Sequence, residues 1–140
     1  MNILVIDDDD RVRTLLKDIL LFAGHQAIEA RDGLSGMRYL EEARFDIVFT
    51  DLGMPGTNGW EVVRCVKEKT PKTPVVLITG WGLEVDESKV RELGVDSVIG
   101  KPFQIQDIIT TVNRFANGGL SEARSQRSEV RDERAEGSRQ

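Results

Sequence analysis

Cysteine is nearly missing from this chain. Cys65 is the only one in 140 residues, which excludes an intramolecular disulfide and any multi-cysteine metal site. Positive charge is in deficit: 19 Lys and Arg stand against 24 Asp and Glu, for a net charge of -5. That balance argues against nucleic-acid binding by bulk electrostatics. Long apolar runs are missing too. The opening run, Ile3 to Ile6, ends in acids and is too short for the hydrophobic stretch of a signal peptide. No run approaches transmembrane length, so no membrane contact is expected and the chain reads as soluble and cytoplasmic. Nothing after Ala116 has the apolar core of a helix-turn-helix, and no DNA-binding domain is expected.

What is present is a regular alternation. Ile3-Leu4-Val5-Ile6 is apolar on both faces, as a central parallel strand requires. After Asp7 to Asp10, the residues Val12, Leu15, Leu16, Ile19, Leu20 and Phe22 recur at helical spacing, and Gly24 supplies a stop. Gln26 to Ala30 reads as a short, poor strand. Asp32, a natural N-cap, opens a second helix through Ala43. Ile47 to Thr50 is a third strand that stops at Asp51. Gly59 leads into a third helix with Trp60, Val63 and Val66 apolar, and Lys67 and Lys69 suit its C-terminal end. Pro74 to Thr79 is a fourth strand and Leu83 to Leu93 a fourth helix, stopped by Gly94. Val95 to Ile99 is a fifth strand. Ile105, Ile108, Ile109, Val112 and Phe115 form the core stripe of a last helix.

Five strands alternating with five helices predict an α/β fold. The expected form is a flavodoxin-like, doubly wound, five-stranded parallel sheet, strand order 2-1-3-4-5, with helices on both faces. Residues 1–117 are expected to form this one domain. Gly118-Gly119 is expected to break the last helix. Residues 118–140, rich in Arg, Glu, Asp and Ser, then form a disordered charged tail or linker. A helix induced by a partner is the alternative for that segment.

In such a sheet, ligands bind outside the carboxyl ends of the strands. The first strand delivers Asp7 and Asp8 there, the third Asp51, the fourth Thr79 and the fifth Lys101. Three neighbouring carboxylates repel one another, and at least one pKa must rise. A hard divalent cation resolves the conflict, and magnesium shares its remaining positions with phosphate oxygens. Thr79 offers a hydroxyl, Gly80 an approachable backbone N–H, and Lys101 a compact positive charge. This is an inventory for a transferring phosphoryl group with Asp51 as nucleophile. Each residue also has a blander reading. Asp51 alone is an ordinary turn acid or N-cap, Thr79 a common strand ending, and Lys101 a solvated loop lysine. Asp9 and Asp10 read as an acidic helix start.

The set Asp7-Asp8, Asp51, Met54-Pro55, Gly59, Thr79 and Lys101-Pro102-Phe103 resembles the receiver domain of two-component response regulators, of the chemotaxis-regulator kind. The resemblance covers Asn2 to Ala116. It implies a phosphoacceptor at Asp51, loaded from a phosphohistidine on a sensor histidine kinase or phosphotransfer protein. Asp8 and Asp51 are then direct magnesium ligands with the Gly53 backbone carbonyl, and Asp7 acts mostly through water. Thr79 and Lys101 bind the phosphoryl group, and the Lys101-Pro102 peptide is cis. Such a module is a switch, not a turnover enzyme. Its output goes to a protein partner or a second copy through the fourth helix, fifth strand and fifth helix. Two departures stand out. Val98 occupies the position, three before the lysine, where receivers usually carry Tyr or Phe, and valine has no ring to swing. Trp81, two after Thr79, is expected to shield the phosphoryl group from water. His25 follows a helix-ending glycine and takes no phosphotransfer role, and Cys65 reads as a packing or surface thiol. Trp60 reads as partly buried, with a partner contact as the alternative. The rival readings are an aspartate-nucleophile, metal-dependent phosphatase and a pseudo-receiver binding module. The first would put its nucleophile on the first strand, as Asp-x-Asp, and add a cap domain; this chain has no cap-sized insertion, and Asp51 would have no obvious second function there. The intact acidic set argues against the second.

Overall fold

The apolar runs become the central strands. The computed structural model describes residues 1–80 and 85–121, with side chains to Asn117. Along it lie β1 (Asn2–Ile6), α1 (Asp10–Phe22), β2 (Gln26–Ala30), α2 (Gly33–Glu42), β3 (Ile47–Asp51), α3 (Gly59–Lys69), β4 (Val75–Thr79), α4 (Glu87–Leu93), β5 (Ser97–Gly100) and α5 (Ile105–Ser121). The strands form one sheet in the order β2-β1-β3-β4-β5, and every neighbouring pair is parallel. This is the doubly wound order the alternation predicts. Every residue of β3 and β4 is buried, as is β1 from Ile3 onward.

Side chains alternate across a strand, and the register carries each face through the sheet. Leu4 pairs with Val48, Val48 with Val75, and Thr50 with Leu77. That face packs against Val62, Val63 and Val66 of α3, with Tyr39 and Leu40 of α2 beside them. The opposite face carries Ile3, Val5, Phe49, Val76 and Ile78. Glu29, the register partner of Val5, pairs with Arg13 and Lys17 of α1, so α1 covers this second face. Each fully buried Ile, Leu, Val or Phe contributes about 1.5–3 kcal/mol of hydrophobic stabilisation.

Helix starts follow side-chain capping. Asp9 accepts from the Arg11 N–H at 2.9 Å and Asp32 from the Ser35 N–H at 2.7 Å. Asn58 and Glu61 form a reciprocal capping box at 3.1 Å each. The acidic helix start read at Asp9 and Asp10 is therefore an N-cap and a first-turn acid.

Several boundaries move. The fourth helix begins at Glu87, because Asp86 turns back to accept the Ser88 N–H at 3.0 Å and the Lys89 N–H at 3.2 Å. The fifth strand begins at Ser97, since the Asp96 carboxylate caps the Val75 N–H and its own N–H bonds to Val75 O. Two residues of the first helical stripe leave the core: Leu15 is 45% exposed and Phe22 87%. Both lie roughly 90–110° around the helix from the centre of the buried Leu16–Ile19–Leu20 arc at 3.6 residues per turn. Ile105 is exposed as well, because it is the first residue of α5. Gly118 and Gly119 do not break the last helix, which runs to Ser121. Glycine disfavours a helix by about 1 kcal/mol per residue but does not forbid helical dihedrals. Met1–Ile109 form one compact unit, and the chain from Thr110 a second, whose described part is the remainder of α5. The readings for Trp81 and for the tail beyond residue 121 lie outside the described residues. Among those described, no helix is long and apolar enough to cross a membrane.

Candidate functional site

The parallel register brings the strand ends level. Ile6 stands opposite Thr50, so Asp7 and Asp51 follow side by side on adjacent strands. Thr79 stands opposite Gly100, immediately before Lys101. Backbone bonds fix the residues at the rim. The Asp7 N–H donates to Ala30 O at 3.1 Å, the Leu52 N–H to Ile78 O at 2.9 Å, and the Lys101 N–H to Thr79 O at 2.8 Å.

Three carboxylates meet at this rim. Asp7, Asp8 and Asp51 each offer an oxygen, and these lie within 4.8 Å of one another. Asp7 and Asp51 are buried and Asp8 is exposed. The Lys101 Nζ lies 3.1 Å from Asp7 Oδ2 and 3.5 Å from Asp51 Oδ1. Burial raises the pKa of Asp51, the Asp7 charge adds to it, and Lys101 offsets only part, so Asp51 is pushed from 3.8 up to about 6. Burial also raises Asp7, against the Asp9 N–H that its Oδ1 accepts at 2.9 Å and against Lys101. Burial pulls the Lys101 ammonium down, but Asp7 and Asp51 together push it above its usual value.

The donor set fits a hard cation. Asp7 Oδ2 is buried and faces the Lys101 ammonium at 3.1 Å. One lysine against three carboxylates leaves negative charge in excess, and magnesium binds such a set through one or two carboxylates while keeping several waters. Asp7, Asp8 and Asp51 are therefore the residues that would hold it.

The remaining predicted residues take distinct places. Thr79 is buried at the end of β4, and its hydroxyl faces Gly100, where an added Cβ would stand 3.8 Å away. Gly53 is exposed in the loop after β3, while Met54 turns into the core. Gly59 serves backbone approach. A Cβ there would stand 2.5 Å from the Asp51 carbonyl oxygen and 2.7 Å from the Leu52 Cα. The Lys101–Pro102 peptide is cis. Trp60 is half-buried beside the α3 core, with the Lys89 ammonium 5.5 Å above its ring. Val98 is 39% exposed on β5. His25 and Cys65 are half-buried, away from the acids in sequence and fold.

Sequence reasoning missed Arg13. Its guanidinium donates to the Asp7 carbonyl oxygen at 2.9 Å, to Asp10 Oδ1 at 2.6 Å and to Glu29 Oε1 at 3.1 Å. The spacing of three from Asp10 is a helical pairing signal. The other two partners come from β1 and β2, and no local pattern announces them.

A parallel sheet in this order gathers two acids after β1, one at the end of β3 and a lysine after β5 at one rim, the architecture of a doubly wound α/β domain with an acidic site. Residues 3–113 match the model of the response regulator receiver domain, and the chain belongs to that family. Relatives include the transcriptional regulatory protein ResD of Bacillus subtilis, 37% identical over 111 residues, covering 79% of this chain and 46% of ResD. The polar-differentiation response regulator DivK of Brucella anthropi is 25% identical over 81% of this chain and 94% of its own. Among solved structures, the Vibrio cholerae chemotaxis protein CheY4 is 26% identical with a TM-score of 0.76, covering 81% of this chain and 97% of its own. NtrX from Brucella abortus is 30% identical with a TM-score of 0.79, over 87% of this chain and 29% of NtrX. The chain spans about half the length of the transcriptional regulators it matches, 46% of ResD and 47% of Escherichia coli CpxR. Receiver domains are signalling modules of two-component systems, not turnover enzymes. They bind magnesium at an acidic pocket and interact with histidine kinases or phosphotransfer proteins.

Proposed function

We propose that this chain accepts a phosphoryl group on Asp51 from the phosphohistidine of a histidine kinase or phosphotransfer protein, and that phosphorylation switches its protein contacts. The observation that carries the reading is the Asp51 carboxylate, buried at the end of β3, close to two further carboxylates and 3.5 Å from the Lys101 ammonium. An Asp51 oxygen attacks the phosphorus, the phosphorus–nitrogen bond breaks, and the histidine leaves with the electron pair. Bound magnesium would neutralise charge on the phosphoryl oxygens. Asp8, Asp51 and the Gly53 carbonyl would hold the ion, with Asp7 contributing through water. Lys101 exchanges its pairing with Asp51 for the phosphoryl oxygens, and Thr79 donates its hydroxyl to another. Slow loss of the group by hydrolysis resets the domain.

The output surface in this reading comprises α4, β5 and α5, which contact a partner protein or a second copy. With Val98 on β5, that switch works without a rotating aromatic. Nucleic acid is not contacted directly, and the domain works in the cytoplasm. Residues 1–117 are the receiver, and 118–140 a charged tail or linker. Incubation with a small phosphodonor and magnesium tests the proposal by intact mass. Wild type is expected to accumulate one phosphoryl group, and Asp51→Ala none. Multiple turnover of the donor with Asp7 essential and no stable adduct would replace the reading with a phosphatase.

A further inference from the structure

We propose that Arg13 is the positioning residue of the acidic site, and that it makes the edge strand β2 part of that site's support. The proposal rests on the magnesium reading of the acidic trio. Arg13 sits in the first turn of α1 with its side chain only 13% exposed. One arm, Nη1, holds the Asp7 carbonyl oxygen at 2.9 Å. That carbonyl belongs to the peptide joining Asp7 to Asp8, so the bond sets how the backbone turns between the two acids. The guanidinium is fixed on its other sides. Nη2 pairs with Asp10 at 2.6 Å and Nε with Glu29 at 3.1 Å. Glu29 is in turn held by Lys17 at 3.2 Å. A planar fork with three simultaneous acceptors is a geometry that lysine cannot reproduce.

The same turn carries a second bond, from the Asp9 N–H to Asp7 Oδ1 at 2.9 Å. It leaves Asp7 Oδ2 facing the Lys101 ammonium at 3.1 Å. Arg13 therefore holds the turn through its carbonyl while the Asp9 amide holds it through the side chain. Together they direct Asp7 and Asp8 toward Asp51. Glu29 and Lys17, far from the acids in sequence, act on the site through this one guanidinium.

Two readouts on Arg13→Gln test the assignment. The first is amide hydrogen exchange of the metal-free protein by NMR. Exchange of the Asp9 amide is expected to accelerate about tenfold relative to the β4 amides, whose rates report global opening. The second is magnesium affinity by calorimetry, expected to fall about tenfold, as for other outer partners of metal ligands. Arg13→Lys is expected to recover less than half of either loss, and Glu29→Gln to shift both in the same direction by less. Asp9 exchange unchanged relative to β4, or accelerated while magnesium affinity stays at the wild-type value, overturns the proposal. If wild type itself binds no magnesium while Asp9 exchange still responds to Arg13, the magnesium reading fails and the positioning role stands. Should Arg13→Gln not fold, the same two measurements on Arg13→Lys and Glu29→Gln take its place, and the same outcomes support or overturn the proposal.

Discussion

At Asp51 the apolar end of β3 and the charge of Asp7 act together against ionisation. A pKa raised to about 6 in the folded chain, from 3.8, means that the metal-free fold binds a proton more tightly than the unfolded chain does. The stabilisation belonging to that proton is fully present below 3.8 and is lost as pH rises through about 6. Asp51→Asn, which carries no charge, is therefore expected to be more stable than the metal-free wild type by about 1–2 kcal/mol at neutral pH, allowing for partial solvent screening. The difference should vanish near about pH 4. Urea unfolding of both proteins across that range measures it. A constant difference at all pH values would show that Asp51 is not the titrating group. The site was legible at this scale because each of its residues directly ends or follows an apolar run. Arg13 was not, since two of its three bonds exist only after β1 and β2 pair beside α1.

The elements hold the site by close backbone approach more than by side-chain volume. α3 begins against the end of β3, where Gly59 leaves room for the Asp51 carbonyl. Gly59→Ala forces a methyl into backbone that cannot rotate away, and is expected to cost about 2–3 kcal/mol in urea unfolding. It should also slow phosphorylation of Asp51 by small donors, because the start of α3 and the acceptor cannot both keep their places. At the opposite end of the sheet, Asp96 ties three elements. Its Oδ2 accepts from the Val75 N–H and from Lys67 Nζ, each at 2.8 Å, and Lys67 also reaches Thr73 O at 2.9 Å. Asp96→Ala strips a partner from a backbone amide and from a lysine. It is expected to lower stability by about 1–3 kcal/mol with phosphorylation of the folded protein unchanged. The apolar runs of β1, β3 and β4 were readable because a strand buried on both faces needs no periodicity. Strand and helix starts were less so. Asp86 and Asp96 decide them through caps formed partly across the sheet, and Leu15 and Phe22 lie off an arc that is narrower than the run of apolar residues.

For the molecule as a whole, parallel pairing concentrates opposed charges at one end of the sheet while the other end is satisfied. Filling the acidic end should therefore strengthen the entire fold, by an amount that grows logarithmically with cation concentration. Magnesium is expected to raise the melting temperature of wild type, and a chelator to reverse the rise. Asp7→Ala should respond little, because it removes one of the three clustered carboxylates. Calorimetry with and without the ion checks this, and an equal rise in Asp7→Ala would point to a different binding place.

The crowding of three carboxylates at this rim has one more consequence, and it concerns survival more than signalling. A chain that is weakest when its acidic end is empty opens most often in that state, and proteases cleave what opens. The lifetime of the protein in a mixture with protease is thereby tied to whether the cation is present. If magnesium binds at this rim as proposed, the ion would also act as a preservative, and its depletion would shorten the life of the chain.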